Sequence, residues 1–180
     1  MLTYLLIALA VVAALVVIFL IIVALQPSDF RITRSATISA PPAAVFAQVN
    51  DFHKWTGWSP WEKIDPNLQR TYDGPPAGKG SMYAWKGNKN VGEGRMTITE
   101  SRPSDLILIK LQFIKPFAAT NTTEFTFQPG KDQTAVTWTM TGKHQFMGKV
   151  FGLFMNMDKM IGNEFEKGLA SMKSLAEAAK

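Results

Sequence analysis

Apolar and polar positions along this chain follow three rhythms in succession. Residues 2–25, LTYLLIALAVVAALVVIFLIIVAL, have no polar period: no charge, proline or glycine interrupts them. As a helix rising ~1.5 Å per residue the run is about 36 Å long, enough to cross a hydrocarbon core of about 30 Å. The period then becomes two. In RITRSATIS, Ile32, Arg34, Ala36 and Ile38 share one face and Thr33, Ser35 and Thr37 the other, as in a strand. SAPPAAVFAQVND predicts a short helix, started by Ser39 and two prolines and carrying Val45, Phe46 and Val49. DFHKWTGW predicts a second one, broken by Gly57.

After a proline- and glycine-rich stretch with one short strand at 68–72, the period of two returns. SMYAWKG and VGEGRMTITE flank a GNKN turn. DLILIKLQFI groups Ile107, Ile109, Leu111 and Phe113. NTTEFTFQ groups Thr123, Phe125 and Phe127, and QTAVTWTMTG groups Val136, Trp138 and Met140. The third rhythm runs from Gln145 to about Ala178. Met147, Val150, Phe151, Phe154, Met157, Ile161, Phe165, Leu169, Met172 and Leu175 recur every three or four residues, which predicts one long amphipathic helix. Gly148, Gly152, Gly162 and Gly168 lie along it, each costing about 1 kcal/mol of helix propensity, as is tolerated where a neighbour approaches closely.

Short successive strands joined by tight turns make an antiparallel meander, and the closing helix is the one element able to cover its concave face. The predicted class is α+β, a curved antiparallel sheet wrapped around a long C-terminal helix, plus one N-terminal transmembrane helix. The expected organisation is a transmembrane helix at 2–25, a linker at 26–30 and one domain at 31–178. A curved sheet and a straight helix meet well at the edges and poorly in the middle, which leaves room for an apolar cavity.

Composition narrows the function. The 180 residues carry 19 Lys and Arg against 14 Asp and Glu, a net charge of +5 that lies wholly outside residues 2–25. The chain has no cysteine, which removes disulfides, thiolate nucleophiles, cysteine metal sites and lipidated cysteines. A cleaved signal peptide is the alternative for residues 2–25, but no Lys or Arg precedes the run and ALQPSD is a poor cleavage site. The expectation is an uncleaved single-pass membrane protein. Arg31 and Arg34 just after the span lean toward a cytoplasmic domain. Basic residues are scattered and no nucleic-acid motif occurs, so no nucleic-acid partner is expected.

ATISAPPAAVFAQVNDFHKWTGWSPWEKIDP resembles the opening of the START-like helix-grip (SRPBCC) superfamily, in its polyketide cyclase/dehydrase and lipid-transport branch. GEGRMTITE, FIKPFAATNTTEFTF, TAVTWTMTG and FGLFMNMDKMIGNEFEKGLASMK resemble its later strands and closing helix. The resemblance covers about residues 31–176, with the transmembrane anchor as an addition. It implies a helix-grip fold, and a superfamily that includes lipid carriers, cyclases, hydrolases and co-chaperone-like domains. Fold alone does not choose among them.

The candidate chemistry is sparse. His53 and His144 show no metal-ligand spacing, and neither a metal nor a cofactor is expected. GEGRMT lacks the third glycine of a dinucleotide fingerprint and sits inside a strand pattern, so it reads as a bulge or a close approach. Glu62 and Asp158 are either hydrogen-bonded structural groups or general acids in a cavity. Arg95 is either an outward-facing strand residue or the anchor of a ligand's carboxylate or phosphate. Methionines and aromatics of the closing helix and sheet either fill the core or line a pocket. The candidate lining is Trp58, Trp61, Glu62, Trp85, Arg95, Phe113, Phe125, Trp138, Phe154, Met157, Asp158 and Ile161; no residue is assigned a catalytic role. Trp55, Trp58 and Trp61 fall about thirty residues from the span, too far for a belt at its end, so they are expected at the mouth of the grip. The expected partners are a hydrophobic small molecule or lipid and the bilayer. The reading is of a binding domain rather than an enzyme. A cyclase or dehydratase using the same cavity and an interaction module with no ligand are the alternatives.

Overall fold

The alternating segments become seven strands in the computed structural model, which describes residues 1–179. They are β1 (Asp29–Ile38), β2 (Gln69–Asp73), β3 (Met82–Lys86), β4 (Glu93–Arg102), β5 (Leu106–Lys115), β6 (Ala119–Gly130) and β7 (Gln133–Lys143). Their order in one sheet is β1-β7-β6-β5-β4-β3-β2. From β2 to β6 each strand pairs antiparallel with the next, and β6 with β7. The first strand returns to the far edge beside β7. Thr33 meets Thr139 and Ser35 meets Thr137 through hydroxyl pairs of 3.1 and 2.9 Å, so these two strands also run in opposite directions.

The inward faces are those the alternation predicts. Ile107 and Ile109 of β5, Phe125 and Phe127 of β6, and Val136, Trp138 and Met140 of β7 are all buried. Register shifts in β4, at Glu93/Gly94 and at Ile98/Glu100, interrupt its pairing with β5, and bulges of this kind increase local bend and twist. Between β1 and β2 the chain forms α2 (Pro42–Asn50), a 3-10 turn at Phe52–Lys54, α3 (Trp55–Trp58) and a second 3-10 turn at Pro60–Lys63.

The closing segment departs from the single helix expected for 145–178. It forms α4 (Phe146–Phe154) and α5 (Met157–Ala178). Met155 between them is extended, with φ −132° and ψ 135°. The apolar spacing runs through this break unaltered, which is why periodicity could not reveal it. Two local features favour it: α4 holds two glycines, and Asn156 with Asp158 makes a good helix start, the carboxylate lying in the first turn of α5.

The chain divides into two compact units, Met1–Phe30 with Lys143–Asn156, and Arg31–Gly142 with Met157–Lys180. Residues 143–156 thus group with the N-terminal helix α1 (Leu2–Leu25). In the first unit α1 packs on α4, Lys149 Nζ donates to the Ala24 carbonyl at 3.2 Å, and the rings of Phe30 and His144 stack at 4.6 Å. Apart from buried Val23, α1 is exposed along its whole length. It is long and apolar enough to cross a membrane, a property that signal sequences share.

In the second unit α5 lies on the sheet. Phe165 stacks flat on Trp138, with centroids 4.0 Å apart and planes at 5°. Gly168 makes the approach possible, since a Cβ there would sit 3.0 Å from the Trp138 ring.

Candidate functional site

Inside the second unit the crossover, sheet and helix line a partly open cavity of about 170 Å³. Its wall is built from four places. Trp55, Ser59, Trp61 and Glu62 come from the helical crossover between β1 and β2. Tyr83, Trp85, Met96, Leu111 and Phe113 come from β3, β4 and β5. Thr123, Trp138 and Met140 come from β6 and β7, and Ile161 and Phe165 from α5, with Leu68 and Val91 completing it. The strand residues recur at every second position, the same inward faces that carry the core.

The three tryptophans of WTGWSPW take different roles. Trp58 is buried and donates from Nε1 to the Gln48 carbonyl at 3.0 Å; it packs against Phe125 and Trp138 and does not line the cavity. Trp55 donates likewise to the Val49 carbonyl but does reach the cavity. Trp61 lines it and meets Trp138 and Phe165 edge-on at 5.8 and 6.1 Å. Trp85 can lie flat because it faces Gly94 across the β3–β4 ladder, where any Cβ would collide with its ring. This close approach is what the glycines of GEGRMT provide.

The polar chemistry of the wall converges on Glu62, which is buried. Tyr83 donates its hydroxyl to Glu62 Oε1 at 2.5 Å, and Arg70 donates from Nε to Oε2 at 2.6 Å. Arg70 also donates to the main-chain carbonyls of Leu68 and Glu62. Burial, and then the Glu62 carboxylate, push the Tyr83 phenol far above its ordinary range, so it stays a neutral donor. The hydrogen bond that Arg70 donates to Glu62 raises its guanidinium despite its partial burial. With both carboxylate oxygens occupied, Glu62 holds its neighbours in place. Deeper in, the Trp138 indole N–H has no hydrogen-bond partner although the residue is buried and lines the cavity. Buried donors in this state are rare.

Of the candidates named from sequence, Trp61, Glu62, Trp85, Phe113, Trp138 and Ile161 line this cavity. The others do not. Phe125 and Trp58 lie in the packed core. Arg95 faces outward and donates to Gln112 at 3.0 Å, because it sits one step out of phase with inward Met96. Asp158 is exposed and pairs with Arg34 at 3.0 Å. Met157 opens α5 without reaching the cavity, and Phe154 is 75% exposed on α4. Sequence reasoning missed Tyr83 and Arg70. Both lie on strands, but nothing in their local pattern says that the β2–β3 pairing brings them to Glu62. Among the described residues no group of His, Cys, Asp and Glu could hold a metal ion.

The profile of the polyketide cyclase/dehydrase and lipid transport family matches residues 29–177. The chain belongs to that family. Solved structures agree on the family fold at low identity. Protein SA2116 of Staphylococcus aureus, of unknown function, superimposes with a TM-score of 0.64 at 9% identity, over 86% of this chain and 97% of its own. The di-domain ARO/CYC protein StfQ of the steffimycin biosynthetic pathway gives 0.63 at 11%, over 84% of this chain and 52% of its own. The Aha1 dimer of Colwellia psychrerythraea gives 0.59 at 16%, over 84% and 98%. No curated protein matches the sequence.

Proposed function

We propose that this family member is a membrane-anchored domain that binds a small, mainly apolar molecule in the cavity between sheet and α5. The observation that carries the proposal is the cavity itself, walled by six aromatic residues of the sheet and crossover and by Phe165. Its size sets the ligand class. A dry cavity on the order of 150 Å³ accepts a benzene-sized guest, while pockets for drug-sized ligands begin at roughly 300 Å³. A volume of about 170 Å³ therefore suits one or two rings or part of one aliphatic chain, and is too small to enclose a two-chain lipid. The apolar wall supplies affinity, at about 25 cal/mol per Å² of surface buried, and the Trp138 N–H favours a ligand with one acceptor oxygen. The anchor is α1, whose exposed apolar surface along 24 residues matches a bilayer and not a protein interior. Arg31 and Arg34 after the span favour a cytoplasmic domain.

A cyclase or dehydratase is the second reading, supported by the family and by the likeness to StfQ. In that reading the Tyr83 hydroxyl, whose one proton is held by Glu62, would turn from Glu62 to donate to a substrate carbonyl.

The test is thermal unfolding of the full chain in nanodiscs with a graded series of one-, two- and three-ring phenols. At a ligand concentration about 100 times Kd, binding adds about 2.7 kcal/mol, which for a chain of this length raises Tm by about 5–10 °C. One- and two-ring compounds are expected to stabilise and three-ring compounds to fail. A flat response across the series would remove the binding reading.

A further inference from the structure

We infer that α4 is a second membrane-contacting element, an amphipathic helix that lies in the headgroup layer beside the C-terminal end of α1. The inference rests on the reading of α1 as a bilayer anchor. Three observations support it. First, α4 exposes large apolar side chains: Phe154 is 75% exposed, Phe146 51%, Met147 41% and Phe151 38%, with Met155 just beyond at 43%. Met147, Phe151 and Phe154 follow at four- and three-residue spacing down one side, and Phe146 lies beside them. Lys149 and Gly152 lie on the other side. A water-facing helix of nine residues with four such side chains, three of them in one stripe, is unusual in a soluble unit.

Second, the place of α4 along the membrane normal is fixed by its packing. It belongs to the same unit as α1, and Lys149 Nζ holds the carbonyl of Ala24, in the last turn of the span. The last turn of a spanning helix lies at the boundary between acyl chains and headgroups, where aromatic side chains are enriched and amphipathic helices settle in plane. The lipid that covers exposed α1 is therefore continuous with the apolar stripe of α4, which argues for a bilayer as its occupant. Third, the charge is of the right sign: Lys143, just before α4, has an 80% exposed side chain, and basic residues at this depth are attracted to anionic headgroups. A short helix inserted at this level would add a second attachment to the single span.

The absence of native cysteine allows a direct test with single spin labels on the full chain, in vesicles of phosphatidylcholine and phosphatidylglycerol. The labelled variants are Phe154→Cys on the stripe, Gly152→Cys, where a side chain meets no atom within 4 Å, and Ala13→Cys in mid-span. Collision with oxygen against an aqueous nickel chelate reports depth. The expected order is deepest at 13, shallow but lipid-facing at 154, and aqueous at 152, with the oxygen-to-nickel ratio at 154 severalfold that at 152. If 154 is as aqueous as 152 while 13 is deep, the anchor stands and the α4 proposal falls. If 13 is itself aqueous, both fall. Spin–spin broadening at 154 between chains would make a second copy the occupant and overturn the proposal.

Discussion

Glu62 sits between the Tyr83 hydroxyl and the Arg70 guanidinium, and the pair with Arg70 joins a buried carboxylate to a partner 28% exposed. Removing the charge by Glu62→Gln leaves Arg70 unpaired. Breaking a fully buried pair costs about 3–5 kcal/mol and an exposed one below about 1. This half-open pair should cost about 2 kcal/mol, readable as a lower midpoint in thermal unfolding of the full chain in nanodiscs. Tyr83 gives a pH signature of the opposite kind. Its phenol titrates higher in the folded protein than in the unfolded chain. The stabilisation is therefore complete below about pH 10 and is lost as pH rises above it, because the unfolded chain then releases a proton that the folded one keeps. Tyr83→Phe should flatten the fall of Tm above pH 10, although raised Tyr72 leaves part of the slope in place. Glu62 was legible in the sequence as a hydrogen-bonded group near a cavity. Its partners were not, since Arg70 is eight residues away and Tyr83 twenty-one, and the register Tyr72↔Tyr83 that joins them is a tertiary fact.

At the scale of elements, three glycines rank the tightness of local packing. A Cβ at Gly94 meets the Trp85 ring and the Gln112 carbonyl, neither of which can move away. At Gly162 it meets the Arg34 guanidinium, the flexible end of a side chain that pairs with exposed Asp158 and Glu166. At Gly152 it meets nothing. Substitution by alanine should therefore cost about 2–3 kcal/mol at Gly94, where packing is overfilled, and less than about 1 at Gly162, where a weak ion pair shifts. At Gly152 it should stabilise α4 by up to about 1 kcal/mol through helix propensity. Chemical denaturation of the three variants checks the order. Most strands were legible because period two survives in them; β2, QRTYD, is polar and nearly all exposed and shows no such alternation. The break between α4 and α5 was not, because the three- and four-residue apolar spacing continues across Met155 while the backbone there is extended.

For the whole molecule, the helix-grip architecture followed from a meander closed by one long apolar-striped helix, and the family match over residues 29–177 agrees with it. The cavity was anticipated from the misfit between a curved sheet and a helix. Its lining was half legible: Trp85, Phe113 and Trp138 lie on faces set by alternation, whereas Phe125 lies on the same inward face of β6 as Thr123 and yet in the packed core. Alternation chooses a face of the sheet and says nothing about where along that face packing stops. The central claim is that this space takes a ligand, and the five indole N–H groups report on it. With the full chain labelled with nitrogen-15 at tryptophan in nanodiscs, and Trp138 assigned by Trp138→Phe, the indole resonances can be followed while a two-ring phenol is titrated. The account predicts a saturable shift at Trp138, which gains a hydrogen-bond partner, smaller shifts at Trp61 and Trp85, and a nearly fixed Trp58, whose N–H is held by Gln48 outside the cavity. No saturable change at Trp138, or equal shifts at all five, would contradict it.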